Sequence, residues 1–305
     1  MTVYDWLIAE DYPLRTKLEN MIAAQRAGIK RSSRLPMSRG NVAIIPLHGM
    51  ITQRGSVFDL ESGGTSTHGF EAAFQRAVNS DRIGAIVIDV DSPGGTSAGV
   101  EQAADRVFAA RGTKPIVAVA NSQAASAAYW IPSAADTFIA APGSDVGSIG
   151  VFRMHWDYSS ALESDGISVE FFAEPARKVE GNPFEPLTDE ARTHQLEQVH
   201  ETYAAFSSAV ARHRGVSVSE AREKLGNGRT FHAQSAKQIG LIDRVASMSQ
   251  VLAELGVGKA GTNAENTRLL VDAWESCEII EQRKRRVGTE RRRITLDDAR
   301  RKRVT

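Results

Sequence analysis

Ser126 stands in Asn121-Ser122-Gln123-Ala124-Ala125-Ser126-Ala127-Ala128-Tyr129-Trp130, directly after the apolar run Pro115 to Ala120. A serine at a strand-to-helix junction offers its hydroxyl at the rim of a sheet, and the alanines around it let a substrate backbone approach. A second segment, Asp91-Ser92-Pro93-Gly94-Gly95, ends the preceding apolar run. A glycine pair at a strand's end can aim backbone N–H groups at a cleft instead of into a sheet. A nucleophile beside oxyanion donors is the equipment of acyl transfer. The amides of Gly94 and of Ala127, the residue just after the serine, are the expected donors.

A serine hydroxyl needs a base within hydrogen-bond reach to act near neutral pH. Lys178 is the only lysine between Lys114 and Lys224, and the proline- and glycine-containing sequence around it can carry the side chain back over a cleft. A lysine serves as a base near pH 7 only where its surroundings disfavour the charge by about 4 kcal/mol, which calls for a largely desolvated amine. His155 is the competing base, since imidazole needs little tuning, and Asp157 offers a carboxylate close by. The residues alone leave both open.

The other histidines (His48, His68, His194, His200, His213 and His232) show no metal-ligand spacing with carboxylates. The segment 143–150 lacks the lysine of a phosphate loop and reads as a structural turn. Cys277 is the single cysteine, which excludes intrachain disulfides and cysteine-rich metal sites. No cofactor or metal is expected.

The elements that must position these groups repeat in a strand-turn-helix pattern. Residues 42–47, 85–90 and 116–120 are β-rich apolar runs, continuous enough to be buried on both faces of a sheet. Helices are expected over 70–78, 100–110 and from Ser126 to about 134, with short strands at 137–141, 148–152 and 167–172. Three prolines, Pro175, Pro183 and Pro186, keep the next loop, which carries Lys178, out of regular helix. Thr188 can cap a long helix to 213, with Asp189 and Glu190 in its first turn and Gly215 beyond its end. Its stripe of Leu196, Val199, Tyr203, Phe206 and Val210 is expected to be buried. Shorter helices are expected at 217–225, 233–238 and 247–255. The fold class is α/β, with repeated units around a buried central sheet.

The 305 residues are 42% hydrophobic and 24% charged, ordinary for a globular chain. The start carries Asp5 and Glu10 and does not read as a signal peptide, and no apolar run is long enough for a membrane span. A cytoplasmic protein is the expectation. Net charge is zero but uneven: Ile279 to Thr305 hold 11 Lys+Arg against 4 Asp+Glu, leaving 26 basic and 33 acidic residues elsewhere. The basic tail is the one place where nucleic acid could bind. Residues 1–40, with Leu18, Met21 and Ile22 at helical spacing, read as a helical extension and linker; 41–255 as the catalytic domain; 256–305 as linker and tail.

The ordered motifs resemble the signal peptide peptidase A family of serine peptidases, related in fold to the Clp protease proteolytic subunit and the crotonases. They are Ile44-Ile45-Pro46-Leu47-His48-Gly49, Asp91 to Gly95, Ala124 to Tyr129, Gly147-Ser148-Ile149-Gly150-Val151, Gly228-Arg229-Thr230-Phe231 and Gly240-Leu241-Ile242-Asp243. The resemblance covers about residues 41 to 255 and implies Ser126 as nucleophile with Lys178, 52 positions later, as general base. Ala127 and Ala128 after the serine and the missing anchor make the chain look like the phage head maturation branch, whose soluble members cut scaffold and capsid proteins inside an assembling prohead. The resemblance also implies a homo-oligomer, in which the lysine can come from a neighbouring subunit.

Rival readings are a peptide-degrading peptidase of the same family, a crotonase-like enzyme acting on acyl-coenzyme A, and a non-catalytic assembly protein. One fold and one oxyanion arrangement can serve more than one chemistry.

Overall fold

A computed structural model describes residues 36–54, 63–225, 227–257 and 263–272. The expected helix around Leu18, Met21 and Ile22, Cys277 and the basic tail lie outside them. In chain order the elements are β1 (Met37–Arg39), β2 (Val42–Thr52), β3 (Thr65–Ser66), α1 (Thr67–Val78), β4 (Ala85–Gly95), α2 (Val100–Ala109), β5 (Ile116–Ala125), α3 (Ala127–Ser133), β6 (Thr137–Ala140) and β7 (Asp145–Gly147). After these come α4 (Ser159–Ser164), a 3-10 turn (Ala176–Val179), α5 (Asp189–Arg214), α6 (Val218–Glu223), β8 (Thr230–His232), α7 (Ala233–Gln238), β9 (Arg244–Val245), α8 (Met248–Glu254) and α9 (264–272).

The sheet runs β1-β2-β4-β5-β6-β9, and β3 pairs with β2. Every pairing is parallel except β1 with β2 and β7 with β8. Parallel strands need helical crossovers, and these bury both sheet faces. Accordingly Ile86, Ile88 and Val90 of β4 enter one core cluster with Phe70, Phe74 and Val107, while Ala85 and Val87 enter a second with Val251 and Leu252 of α8. The mixed α/β architecture with a buried, mostly parallel sheet agrees with the expectation.

The central strands run further than their apolar cores suggest, because each continues past an irregularity. Register shifts fall between His48 and Met50 of β2 and between Val90 and Ser92 of β4. In β5, Ala120 pairs with Val90 but Ala124 with Ser92, so Asn121 to Gln123 form a bulge. A bulge bends the strand and re-aims the residues beyond it. Past this point β5 leaves β6 and pairs with β7.

Thr188 caps α5 by accepting from the Ala191 N–H at 3.1 Å, and Gly215 closes it in the left-handed conformation at φ 67°. Only the second half of its stripe is in the core: Phe206 and Val210 are buried, whereas Leu196 is 51% exposed. The strands expected at 148–152 and 167–172 are not formed. Gly147 (φ 128°) and Ser148 (φ 54°) turn the chain, the Ser148 N–H donates to Arg229 O, and pairing stops there. Phe152, Met154, Trp156 and Phe172, in segments without a strand partner among the described residues, are exposed.

The described body reaches beyond 41–255. β1 lies before it, and α9 returns to it, with the Ser38 N–H donating to Thr267 Oγ1 at 2.9 Å and Leu270 fully buried.

Candidate active site

Ser126 occupies the single residue between β5 and α3, with φ 56° and ψ −123°. A non-glycine residue rarely holds such a conformation, which costs about 1–3 kcal/mol and persists only where the surroundings impose it. Here they do. The Ser126 N–H donates to Gly147 O at 2.9 Å, and its carbonyl accepts from the N–H groups of Tyr129 and Trp130 at 2.8 and 3.0 Å. The side chain makes no capping bond to α3, so the hydroxyl is not spent on its own helix. Gly147 is held in turn by β8, in the Gly228 to Phe231 motif, through pairing with Thr230.

Gly94 packs directly against the serine. A Cβ on Gly94 (φ 105°) would stand 2.8 Å from Ser126 Cβ, 2.8 Å from Ala125 O and 3.2 Å from the Ala127 nitrogen. The Gly94 N–H, however, donates to the buried Ser92 Oγ at 3.1 Å, and that hydroxyl donates to Gly49 O at 2.6 Å, toward β2. The Thr96 N–H also faces β2, donating to Ile51 O at 2.9 Å. Successive residues of a strand alternate in direction, so the Gly95 N–H, lying between them, points to the opposite edge, where Ser126 and Ala127 stand.

Ser126, Ala127 and Gly95 line a cleft of about 260 Å³ whose other walls include Trp130, Val151 and Phe206. Trp130 and Phe206 stack at 4.5 Å with planes 6° apart, joining α3 to α5 and making one side of the cleft apolar. The far end of α3 is tied down as firmly. Arg111 donates to the carbonyls of Ser133, Ala134, Ala135 and His213 at 2.7 to 3.2 Å. The Tyr129 hydroxyl, fully buried, donates to Leu241 O at 2.9 Å, and burial pushes its ionisation well above the ordinary phenol range. Arg214 of α5 pairs with Asp243, so the Gly240 to Asp243 motif ties down both α5 and, through Tyr129, the helix after Ser126.

Lys178 lies on the 3-10 turn, exposed, and does not line the Ser126 cleft. The isolated chain therefore does not bring the two together. His155 is also away from the serine, lining a separate cavity against α5.

The model of peptidase family S49 matches residues 109–261, just over half of the chain and including both Ser126 and Lys178. The chain belongs to peptidase family S49. Among its relatives, the head-tail preconnector protein GP5 of Enterobacteria phage P21 is 31% identical over 83% of this chain and 51% of its own length. Capsid assembly protease C of Escherichia phage lambda is 29% identical over 73% of this chain and 50% of its own. This S49 chain thus spans about half the length of those two relatives. A putative signal peptide peptidase SppA of Enterococcus faecium is 24% identical over 85% of this chain and 77% of its own. A solved membrane-bound stomatin-specific protease in complex with a substrate peptide superposes with a TM-score of 0.42 at 18% identity, over 71% of this S49 chain and 80% of that one.

Three contributors to this S49 site escape sequence reasoning. Gly95 does so because glycine pairs look alike until strand alternation separates their N–H groups. Ser92 reads as part of a turn, although its hydroxyl is what occupies Gly94. Arg111 carries no sequence signal beyond its place after a helix. Among the described residues no helix is long and apolar enough to cross a membrane, and no group of three or more His, Cys, Asp or Glu is placed to hold a metal ion.

Proposed function

We propose that this chain is a serine endopeptidase in which Ser126 Oγ attacks a peptide carbonyl. The observation that carries the reading is the strained Ser126 backbone, which points a hydroxyl not used as a helix cap into a cleft beside Gly94, Gly95 and Ala127. Lys178 Nζ takes the hydroxyl proton as the Oγ–C bond forms. The Ala127 N–H and the Gly94–Gly95 turn hold the oxyanion, with the Gly95 N–H as the turn's cleft-facing donor and Gly94 giving the close approach. Collapse breaks the C–N bond, and the proton passes from Lys178 to the departing amine. Water, deprotonated by the same lysine, then releases the acyl group and restores Ser126.

The exposed position of Lys178 in one chain supports completion of the site by assembly. Trp156 and Phe172 lie on the same 150–187 segment as Lys178, line neither cavity and leave apolar surface uncovered, as expected of a homo-oligomeric contact. Packing there would desolvate the amine, the condition for a lysine base. The similarity to capsid assembly protease C and the head-tail preconnector protein supports capsid and scaffold proteins as substrates, cut in the host cytoplasm within an assembling prohead. Residues 41–255 hold the catalytic groups, and β1 and α9 on either side complete the body that carries them.

The test is cleavage of an unfolded polypeptide by the full chain. Ser126→Ala and Lys178→Ala are each expected to lower kcat by at least about 10³-fold, while His155→Ala retains chemistry. Undiminished cleavage by Ser126→Ala, or loss confined to His155→Ala, would overturn the assignment.

A further inference from the structure

Beyond the Ser126 cleft, a second cavity of about 380 Å³ lies between segment 153–155 and the first half of α5. Arg153, His155 and Arg192 line it together with apolar Met154, Leu196 and Val199, and no carboxylate does. Arg153 uses one N–H on Gln195 Oε1 at 2.8 Å, and the Arg192 guanidinium has no hydrogen-bond or ion-pair partner among the described residues. His155 Nε2 is buried and has no partner there either. A buried polar nitrogen left unpaired is costly, and in native proteins such a group calls for an explanation. Two guanidiniums and an imidazole around one apolar-walled cavity match a carboxylate, which accepts from several N–H donors at once.

The cavity's position relative to the serine is set by α5. Thr202 lines the Ser126 cleft and Arg192 the second cavity, ten residues apart on one helix, or about 15 Å at the α-helical rise. The facing chain gives the same order, since Gly150 lines the cleft and His155 the cavity. An extended peptide advances about 3.3 Å per residue, so 15 Å corresponds to about four or five residues.

We infer that Arg153, His155 and Arg192 form a specificity subsite for an Asp or Glu side chain of the substrate, four or five residues from the scissile bond. Met154, Leu196 and Val199 favour an apolar neighbour beside that acid. The inference rests on Ser126 as the nucleophile only for the spacing; the carboxylate subsite itself stands on the cavity.

The experiment uses the full chain carrying Ser126→Ala and rhodamine-labelled, C-terminally amidated peptides in which one Glu is moved along a fixed sequence, each with a matched Gln control. Cleavage sites are mapped with the wild-type chain by mass spectrometry. Glu four or five residues from the cut, on one side only, is expected to bind about tenfold tighter than Gln by fluorescence anisotropy. Arg192→Gln and Arg153→Gln should each remove that gain, and Arg192→Glu should turn the preference toward Lys. Equal binding of Glu and Gln peptides overturns the subsite. A gain seen only with free-acid peptides also overturns it, because the carboxylate would then be a chain terminus. A Glu preference that persists in binding while the wild-type chain leaves every peptide uncut would count against the peptidase reading and leave the carboxylate subsite standing.

Discussion

Gly94 and Ser126 touch so closely that one methyl group on the glycine would stand 2.8 Å from the serine's Cβ. The positive φ of both residues belongs to the same arrangement: Gly94 can turn at 105° without a side chain, and Ser126 is forced to 56° by its bonds to Gly147, Tyr129 and Trp130. Gly94→Ala should therefore strike stability and catalysis together. Strain and overpacking combine to about 3 kcal/mol, read as a lower urea midpoint. Turnover should fall further than the folded fraction, since the added carbon lies 3.2 Å from the Ala127 nitrogen.

Arg111 stands at the other end of the same helix, bonded to the carbonyls of Ser133, Ala134, Ala135 and His213. Burial lowers the proton affinity of its guanidinium, yet these acceptors hold it in place. Arg111→Met leaves those carbonyls without it and should cost about 3 kcal/mol in urea unfolding. The arginine touches no substrate, so residual folded protein should keep its pH profile while losing turnover through a loosened α3.

His213 gives the fold an acid-sensitive point. It is buried, its Nδ1 lies 2.9 Å from Ser133 Oγ, and burial with the nearby Arg212, Arg111 and Arg214 pushes its pKa down to about 3. The Ser133 hydroxyl donates to Trp130 O at 2.7 Å, which leaves its oxygen to accept from the imidazole Nδ1–H. The unfolded chain protonates this imidazole near pH 6.5 and the folded chain does not. Stability should thus fall as pH drops from about 6.5 toward 3, by up to about 5 kcal/mol from this group. In His213→Gln the urea midpoint should vary less across that window, whatever its absolute value.

The proposed completion of the site by a neighbouring copy, which brings in the Lys178 that is exposed in one chain, makes activity depend on association. Specific activity should rise with protein concentration and fall when Trp156→Asp or Phe172→Asp charges the uncovered segment. Mixing inactive Ser126→Ala and Lys178→Ala chains should restore cleavage, because a neighbouring copy then supplies the missing partner; sedimentation and a fluorogenic peptide assay read the two effects.

Much of this arrangement is legible in the residues, for identifiable reasons. The runs at 85–90 and 116–120 are apolar without interruption, which only a strand buried on both faces tolerates, and Thr188 and Gly215 bracket α5 as cap chemistry requires. Ser126 stands out because small residues come directly after a strand end. The features that stay hidden depend on contacts between distant segments. The bulge at Asn121 to Gln123 has no local signature, and the strand expected at 148–152 fails because Ser148 bonds Arg229 across the chain. The direction of the Gly95 N–H is set by its register with β2, and the exposure of Leu196 by what α5 does not meet within one chain.

The most direct measurement is reaction of the assembled wild-type protein with a fluorophosphonate and peptide mapping of the product. A single adduct on Ser126, absent from Ser126→Ala and strongly slowed in Lys178→Ala, is the predicted result. An adduct on another serine, or labelling that Ser126→Ala leaves intact, would contradict the account.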